Sequence, residues 1–211
     1  MPLYKTIAHN DDTRILVWKI TETEAELKQS VPMQEKHQMR YNGMLSEQHR
    51  KGFLSVRKLL AEAGYSDFDL KYDANGKPSL ADGKHISITH SFDFSAIIIS
   101  NENVGIDLEK QREKIVRIAD KFIGSEAAFL HPETTYIEHL SVIWGAKEAL
   151  YKMCNSRSLS FKQDMHVQDF TQNTQQGFAL VDCKTLDFSR RFTFHFESFE
   201  NYTLVYALED E

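Results

Sequence analysis

The sequence predicts an α+β fold built as two similarly ordered halves, and three observations carry that reading. The order strand, helices, strands runs twice, once on either side of roughly residue 105. Short stretches alternate apolar with polar residues at the period of two that a half-buried strand needs, while longer stretches repeat at helical spacing. No linker rich in Gly, Pro or Ser divides the 211 residues, which suffice for one large domain or two small ones. Two α+β halves, placed at 1–104 and 105–211 and packed together, account for the repeated order. The halves share no evident sequence identity, so the repeat is one of order alone.

The elements follow in turn. Arg14 to Ile20 alternates and opens the chain as a strand. Thr21, with Glu24 three residues on, fits a capping box for a first helix. Phe53, Val56, Leu59 and Leu60 recur at helical spacing within a helix from about Ser46 to Ala63, and Gly64 stops it. Phe68 to Tyr72 alternates again, and Asn75-Gly76 marks a tight turn. His85 to Thr89 and Phe94 to Ser100 read as strands, and Asn101-Glu102-Asn103 turns the second into Val104 to Leu108. A basic amphipathic helix is predicted from Glu113 to Phe122, and another helix from about Thr134 to Cys154. Met165 to Phe170, Gly177 to Cys183, Arg191 to Glu197 and Tyr202 to Leu208 complete the chain as strands.

Bulk properties narrow the function classes. A net charge of −6 argues against general binding of nucleic acid or membrane surfaces, which depends on basic surface. Cys154 and Cys183 form neither a disulfide framework nor a metal-ligand spacing, so a reducing compartment is expected. The polar N-terminus shows no secretory pattern, and the aliphatic run Ala96 to Ile99 is too short to cross a bilayer. The expectation is a soluble, cytoplasmic protein.

Two stretches carry the chemistry. Val104-Gly105-Ile106-Asp107-Leu108-Glu109 sets two carboxylates two residues apart, hence on one face of a strand. Trp144-Gly145-Ala146-Lys147-Glu148-Ala149-Leu150-Tyr151-Lys152 sets Glu148 and Lys152 one helical turn apart. Carboxylates that hold a hard cation, with a lysine for phosphate charge, suit a Mg²⁺-dependent reaction on phosphate groups. Singly, each feature has a plainer reading. Asp-x-Glu after a strand is often a solvated strand end, and a helical Glu with Lys four residues on is ordinary. Lys147 is either a second cation for the site or a solvent-facing neighbour, because adjacent helix residues diverge by roughly 100°.

Together, G-I-D-L-E followed by W-x-x-K-E-A-L-Y-K resembles the signature of the 4′-phosphopantetheinyl transferase superfamily. Asn75-Gly76-Lys77-Pro78 resembles that family's G-K-P turn, Thr89-His90-Ser91 its S-H-S segment, and Ser55-Val56-Arg57 with Leu59-Leu60 its T-R-x-L-L stretch. The elements stand in family order over about residues 50–155, and the length suits the single-chain, surfactin-synthetase-activating type, an intramolecular pseudo-dimer of two α+β halves.

The resemblance implies transfer of the phosphopantetheine arm of coenzyme A to a carrier-protein serine, with release of adenosine 3′,5′-bisphosphate. It implies Mg²⁺ held by Asp107, Glu109 and Glu148. Glu148, or a water it orients, becomes the base, and Lys152 neutralises the pyrophosphate. Coenzyme A contacts are expected from Arg57, Lys77, Pro78, Thr89, His90 and Lys152, toward the first half. Three of these, Lys77, Pro78 and His90, have a plainer reading: N-G-K-P is also an ordinary turn, and a lone histidine is often a satisfied core residue. The basic run Lys110, Arg112, Lys114, Arg117 and Lys121, interleaved with Ile115 and Ile118, suits an acidic carrier, with Lys114 and Arg117 as contacts; it also suits a plain amphipathic helix. One chain would complete the site, so a monomer is expected. Two departures stand out: Gly145 replaces the usual Ser or Thr, and Thr89 the first Ser of S-H-S. A metal-dependent nuclease or phosphodiesterase is one alternative, and a non-catalytic carrier-binding homologue is another.

Overall fold

Each half of the sequence folds a long helix against its own antiparallel sheet. The protein is described from a computed structural model covering residues 3–132, 135–156, 158–183 and 187–209. The chain divides into two compact units, Met1–Glu102 and Asn103–Glu211.

In the first unit, β1 (Leu3–Ala8) and β2 (Arg14–Lys19) precede α1 (Glu24–Gln29), α2 (Glu35–Asn42) and α3 (Glu47–Glu62). Then follow β3 (Leu70–Tyr72), β4 (Pro78–Leu80), β5 (His85–Ser91) and β6 (Phe94–Ser100). The sheet order is β1-β2-β6-β5-β4-β3, antiparallel at every pairing. The helical stripe Phe53, Val56, Leu59 and Leu60 of α3 packs on Leu16, Trp18, Ile86, Ile97 and Ile99. Gly64, at φ +87°, carries the chain out of the helix in the left-handed region that glycine tolerates.

The cap of the first helix differs from the expected one. The capping box lies two residues later than Thr21 and Glu24: Thr23 caps α1, and its backbone N–H donates to Glu26 Oε2 at 2.8 Å. Glu24 instead pairs with Arg50 at 2.8 Å. Strand β1 and helix α2 gave no periodic signal; β1 is mostly exposed, so its residues need not alternate.

In the second unit, β7 (Val104–Lys110) leads to α4 (Lys114–Ile118) and α5 (Tyr136–Cys154), then β8 (Met165–Val167), β9 (Gln176–Cys183), β10 (Phe188–Phe199) and β11 (Tyr202–Glu209). The sheet runs β7-β11-β10-β9-β8, again antiparallel throughout. Phe192, Phe194 and Phe196 alternate inward from β10 and meet Ile143, Ala146, Ala149 and Leu150 of α5. The basic helix expected from Glu113 to Phe122 is shorter: α4 ends at Ile118, and a 3₁₀ turn over Ala119–Lys121 buries Phe122. The expected start of the long helix at Thr134 lies outside the described residues. No described helix is long and apolar enough to cross a membrane.

Candidate active site

The acidic cluster is built by β7 and α5. On β7, Asp107 and Glu109 share the face that Gly105 turns to α5. Gly105 is needed for that approach: a Cβ there would lie 2.1 Å from the Ala149 carbonyl oxygen. On α5, Trp144, Glu148 and Lys152 follow one another at four-residue intervals along one face. Lys152 Nζ sits 2.9 Å from Asp107 Oδ1 and donates to the Ile106 carbonyl at 2.7 Å. Trp144 Nε1 donates to Glu109 Oε1 at 3.3 Å.

The electrostatics mark these acids as one group. Burial pushes the Glu148 carboxyl up to about 7, and the charge of Asp107 adds to the shift against the pull of Lys152. Glu109 is likewise pushed up to about 7, first by burial, then by the charge of Asp107 and, more weakly, of Glu148. Two carboxyls pushed toward neutrality beside a third concentrate negative charge on this face. The oxygen-only donor set fits a hard ion such as Mg²⁺. The spacing is looser than a closed coordination shell: among the described residues, no group of three or more His, Cys, Asp or Glu is gathered tightly enough to hold a metal. Lys152 instead supplies the positive charge against Asp107.

Beside Glu109 opens a groove of about 190 Å³. Lys110, Arg112 and Lys114 line it together with Ile115, Ile118 and Trp144. Lys114 and Arg117 are both exposed.

Other expected site residues fall elsewhere. Lys147 faces neither the cluster nor solvent. It is fully buried, pairs with Glu126 at 2.7 Å, and donates to the carbonyls of Phe122 and Phe161. Glu126 also accepts from the backbone N–H groups of Gly124 and Val167, so the buried pair is fully satisfied. Burial lowers the Lys147 pKa, with Glu126 opposing.

Arg57 is a correction. Instead of reaching a phosphate, it lies 3 % exposed in the first unit, with Nε 2.9 Å from Asp67 and its guanidinium stacked 3.4 Å from the Phe53 ring centroid. His37 binds the same carboxylate at 2.8 Å.

Thr89 and His90 are expected to share a phosphate, but successive residues of β5 point to opposite faces. Thr89 is buried and His90 exposed. His90 lies over Gly52 of α3, where a Cβ would come within 2.8 Å of its ring, and beside His49. Lys77 and Pro78 are half-buried at the turn made by Gly76, whose φ is +91°.

Glu126 is the contributor that motif reading passes over, because it stands in a stretch with no local signal. Val205 is legible only as part of a strand, not as a neighbour of the site.

With this geometry in view, the second unit resembles a known family. Residues 103–207 match the family described as ACPS, the 4′-phosphopantetheinyl transferase superfamily. The match covers just under half of the chain and falls on the unit that carries the acidic cluster, so that unit is similar to the superfamily. A curated Bacillus subtilis protein named 4′-phosphopantetheinyl transferase is 30 % identical over 122 residues, 51 % of this chain and 53 % of its own length. The chain thus spans about half the length of that relative.

Proposed function

We propose that the protein transfers the 4′-phosphopantetheine arm of coenzyme A to a serine of an acyl or peptidyl carrier protein. The convergence of Asp107 and Glu109 with Glu148 and Lys152 across β7 and α5 is the single observation that carries this reading. The likeness of residues 103–207 to the superfamily supports the same chemistry.

Asp107, Glu109 and Glu148 would hold Mg²⁺. When bound, the ion offsets charge on the pyrophosphate. The chain's own residues divide the remaining work. Glu148, with its carboxyl near neutrality, takes the proton of the carrier serine directly or through a water. The serine oxygen then bonds to the β-phosphorus, and the bond to the adenosine bisphosphate oxygen breaks. Lys152 neutralises charge gathering on the phosphate oxygens, for which its partial exposure leaves it accessible. Within the second unit, Lys152 is the proposed coenzyme A contact.

For the carrier, the groove beside Glu109 joins cationic residues to apolar ones, as an acidic helix with an apolar stripe requires. Lys114 and Arg117 are the proposed carrier contacts. A cytoplasmic monomer of the surfactin-synthetase-activating type is the form this reading favours.

The test is incubation with apo-carrier protein, coenzyme A and Mg²⁺, followed by intact-mass measurement of the carrier. Addition of the phosphopantetheine arm is expected, and chelation should abolish it. No addition across several carriers, by protein shown to be folded, would sink the transferase reading. It would leave the nuclease and the non-catalytic carrier-binding readings to be assayed.

A further inference from the structure

Gly145 occupies the interior of α5, where glycine weakens a helix through its extra backbone freedom. Ala146, next to it, and Ala149, one turn on, are small and buried on the same helix, so a small side chain as such is tolerated there. What sets position 145 apart lies across from it. A Cβ on Gly145 would stand 2.7 Å from Val205 Cγ2, 3.2 Å from Val205 Cβ and 3.8 Å from Asp107 Oδ2. Val205 is fully buried on β11 and is the register partner of Asp107 on β7. Its branched side chain has little rotamer freedom with which to retreat. One turn further along α5, the Ala149 carbonyl fills the space that a Cβ on Gly105 would need. Two glycine contacts, one from each side, therefore bring α5 down onto β7 and β11. Glu148 lies between them, three residues after Gly145 on the same face.

We infer that Gly145 is a positioning residue for the proposed reaction: by seating on Val205, it sets the separation of Glu148 from Asp107. The inference rests on the reading of these acids as the Mg²⁺ site. A methyl group at 145 drives α5 away from the Val205–Asp107 pair and widens the site. Shortening Val205 removes the collision. The effect is thus a coupling between two residues, neither of which touches substrate.

The test compares wild type, Gly145→Ala, Val205→Ala and the double variant. Mg²⁺ affinity is read by calorimetry in the presence of coenzyme A, transfer kinetics by carrier mass, and folding by circular dichroism. Gly145→Ala is expected to weaken Mg²⁺ binding about tenfold and to lower kcat while leaving the carrier KM unchanged. Val205→Ala should bind within about twofold of wild type, and the double variant within about threefold. If Gly145→Ala does not fold, recovery of folding and binding in the double variant supports the same coupling. Wild-type affinity in a folded Gly145→Ala variant, or a double variant that folds but binds no better than Gly145→Ala, overturns the inference while the transferase reading stands. Absence of both Mg²⁺ binding and transfer in the wild type overturns both.

Discussion

Helices α3 and α5 hold corresponding places in their units, and each carries a buried cation on its apolar stripe. Arg57 stands between Phe53 and Leu60, and Lys147 between Ile143 and Leu150, at the same spacing of four and three residues. Each cation is bound to a carboxylate from a neighbouring 3₁₀ turn, Asp67 in one unit and Glu126 in the other. The difference lies on the sheet-facing side next to that stripe. There Ser55 of α3 donates to Ser95 of β6 at 2.9 Å, a neutral pair, whereas α5 sets Glu148 and Lys152 beside Asp107 of β7. The buried pair ties the turn to the helix in both units. The open acidic cluster is what the second unit adds.

Breaking the buried pairs should give the largest effect. Lys147→Met leaves the Glu126 charge buried without its partner and should cost about 3–5 kcal/mol of stability, read by chemical denaturation. Arg57→Met should cost a similar amount in the first unit. If Lys147→Met melts like wild type and loses only transfer, Lys147 belongs with the cluster and the parallel between the helices fails.

Glu148→Gln is the converse case. Transfer should fall by about 10²–10³-fold with the melting curve retained, because the group serves charge rather than packing. An unfolded Glu148→Gln variant would place Glu148 among the structural residues.

The acids also give the metal-free protein a pH signature. Glu109 and Glu148 titrate in the fold near 7, above their ordinary value of 4.5. The folded state therefore holds protons that the unfolded chain releases as pH rises from about 4.5 to 7, and their contribution to stability is lost across that window. His37 and Lys147, both lowered by burial, act in the opposite sense. The informative quantity is the stability difference between Glu148→Gln and wild type. It should move in favour of the variant by about 1–2 kcal/mol between pH 5 and pH 8, after allowance for partial exposure. A constant difference would mean that Glu148 does not titrate in this window.

The smallest effect is expected at the groove. Lys114→Glu with Arg117→Glu should raise the carrier KM several-fold and leave kcat alone, with the penalty shrinking at high salt. An unchanged KM would remove these residues from the docking surface.

The legibility of these features in the sequence followed the range of the forces behind them. Alternation in β10 and the stripe of α3 were readable because one face of each meets a core. Asp107, Glu109, Glu148 and Lys152 were readable because period-two and four-residue spacings place them on shared faces. At Lys147 and Arg57 charge misleads where position informs: each sits on the helical stripe between apolar residues, and that spacing marks it as buried. Glu126 and Asp67 could not be found this way, since each pairs across a chain separation that no local period spans. Thr89 and His90 are adjacent in sequence but not on one face, because the pleat of β5 separates them. The shortened α4 reflects the demand of Phe122 for the core, which breaks the helix after Ile118.

The central claim is that Asp107, Glu109 and Glu148 act together as one cation site, and Trp144 offers a direct probe of it through its hydrogen bond to Glu109. With Trp18 replaced by Phe, Mg²⁺ is titrated at pH 7.5 in the presence of coenzyme A while Trp144 fluorescence is recorded. A saturable change that disappears in Glu148→Gln is the expected result. No change in the otherwise wild-type background, or the same saturable change with Glu148→Gln, would contradict the claim.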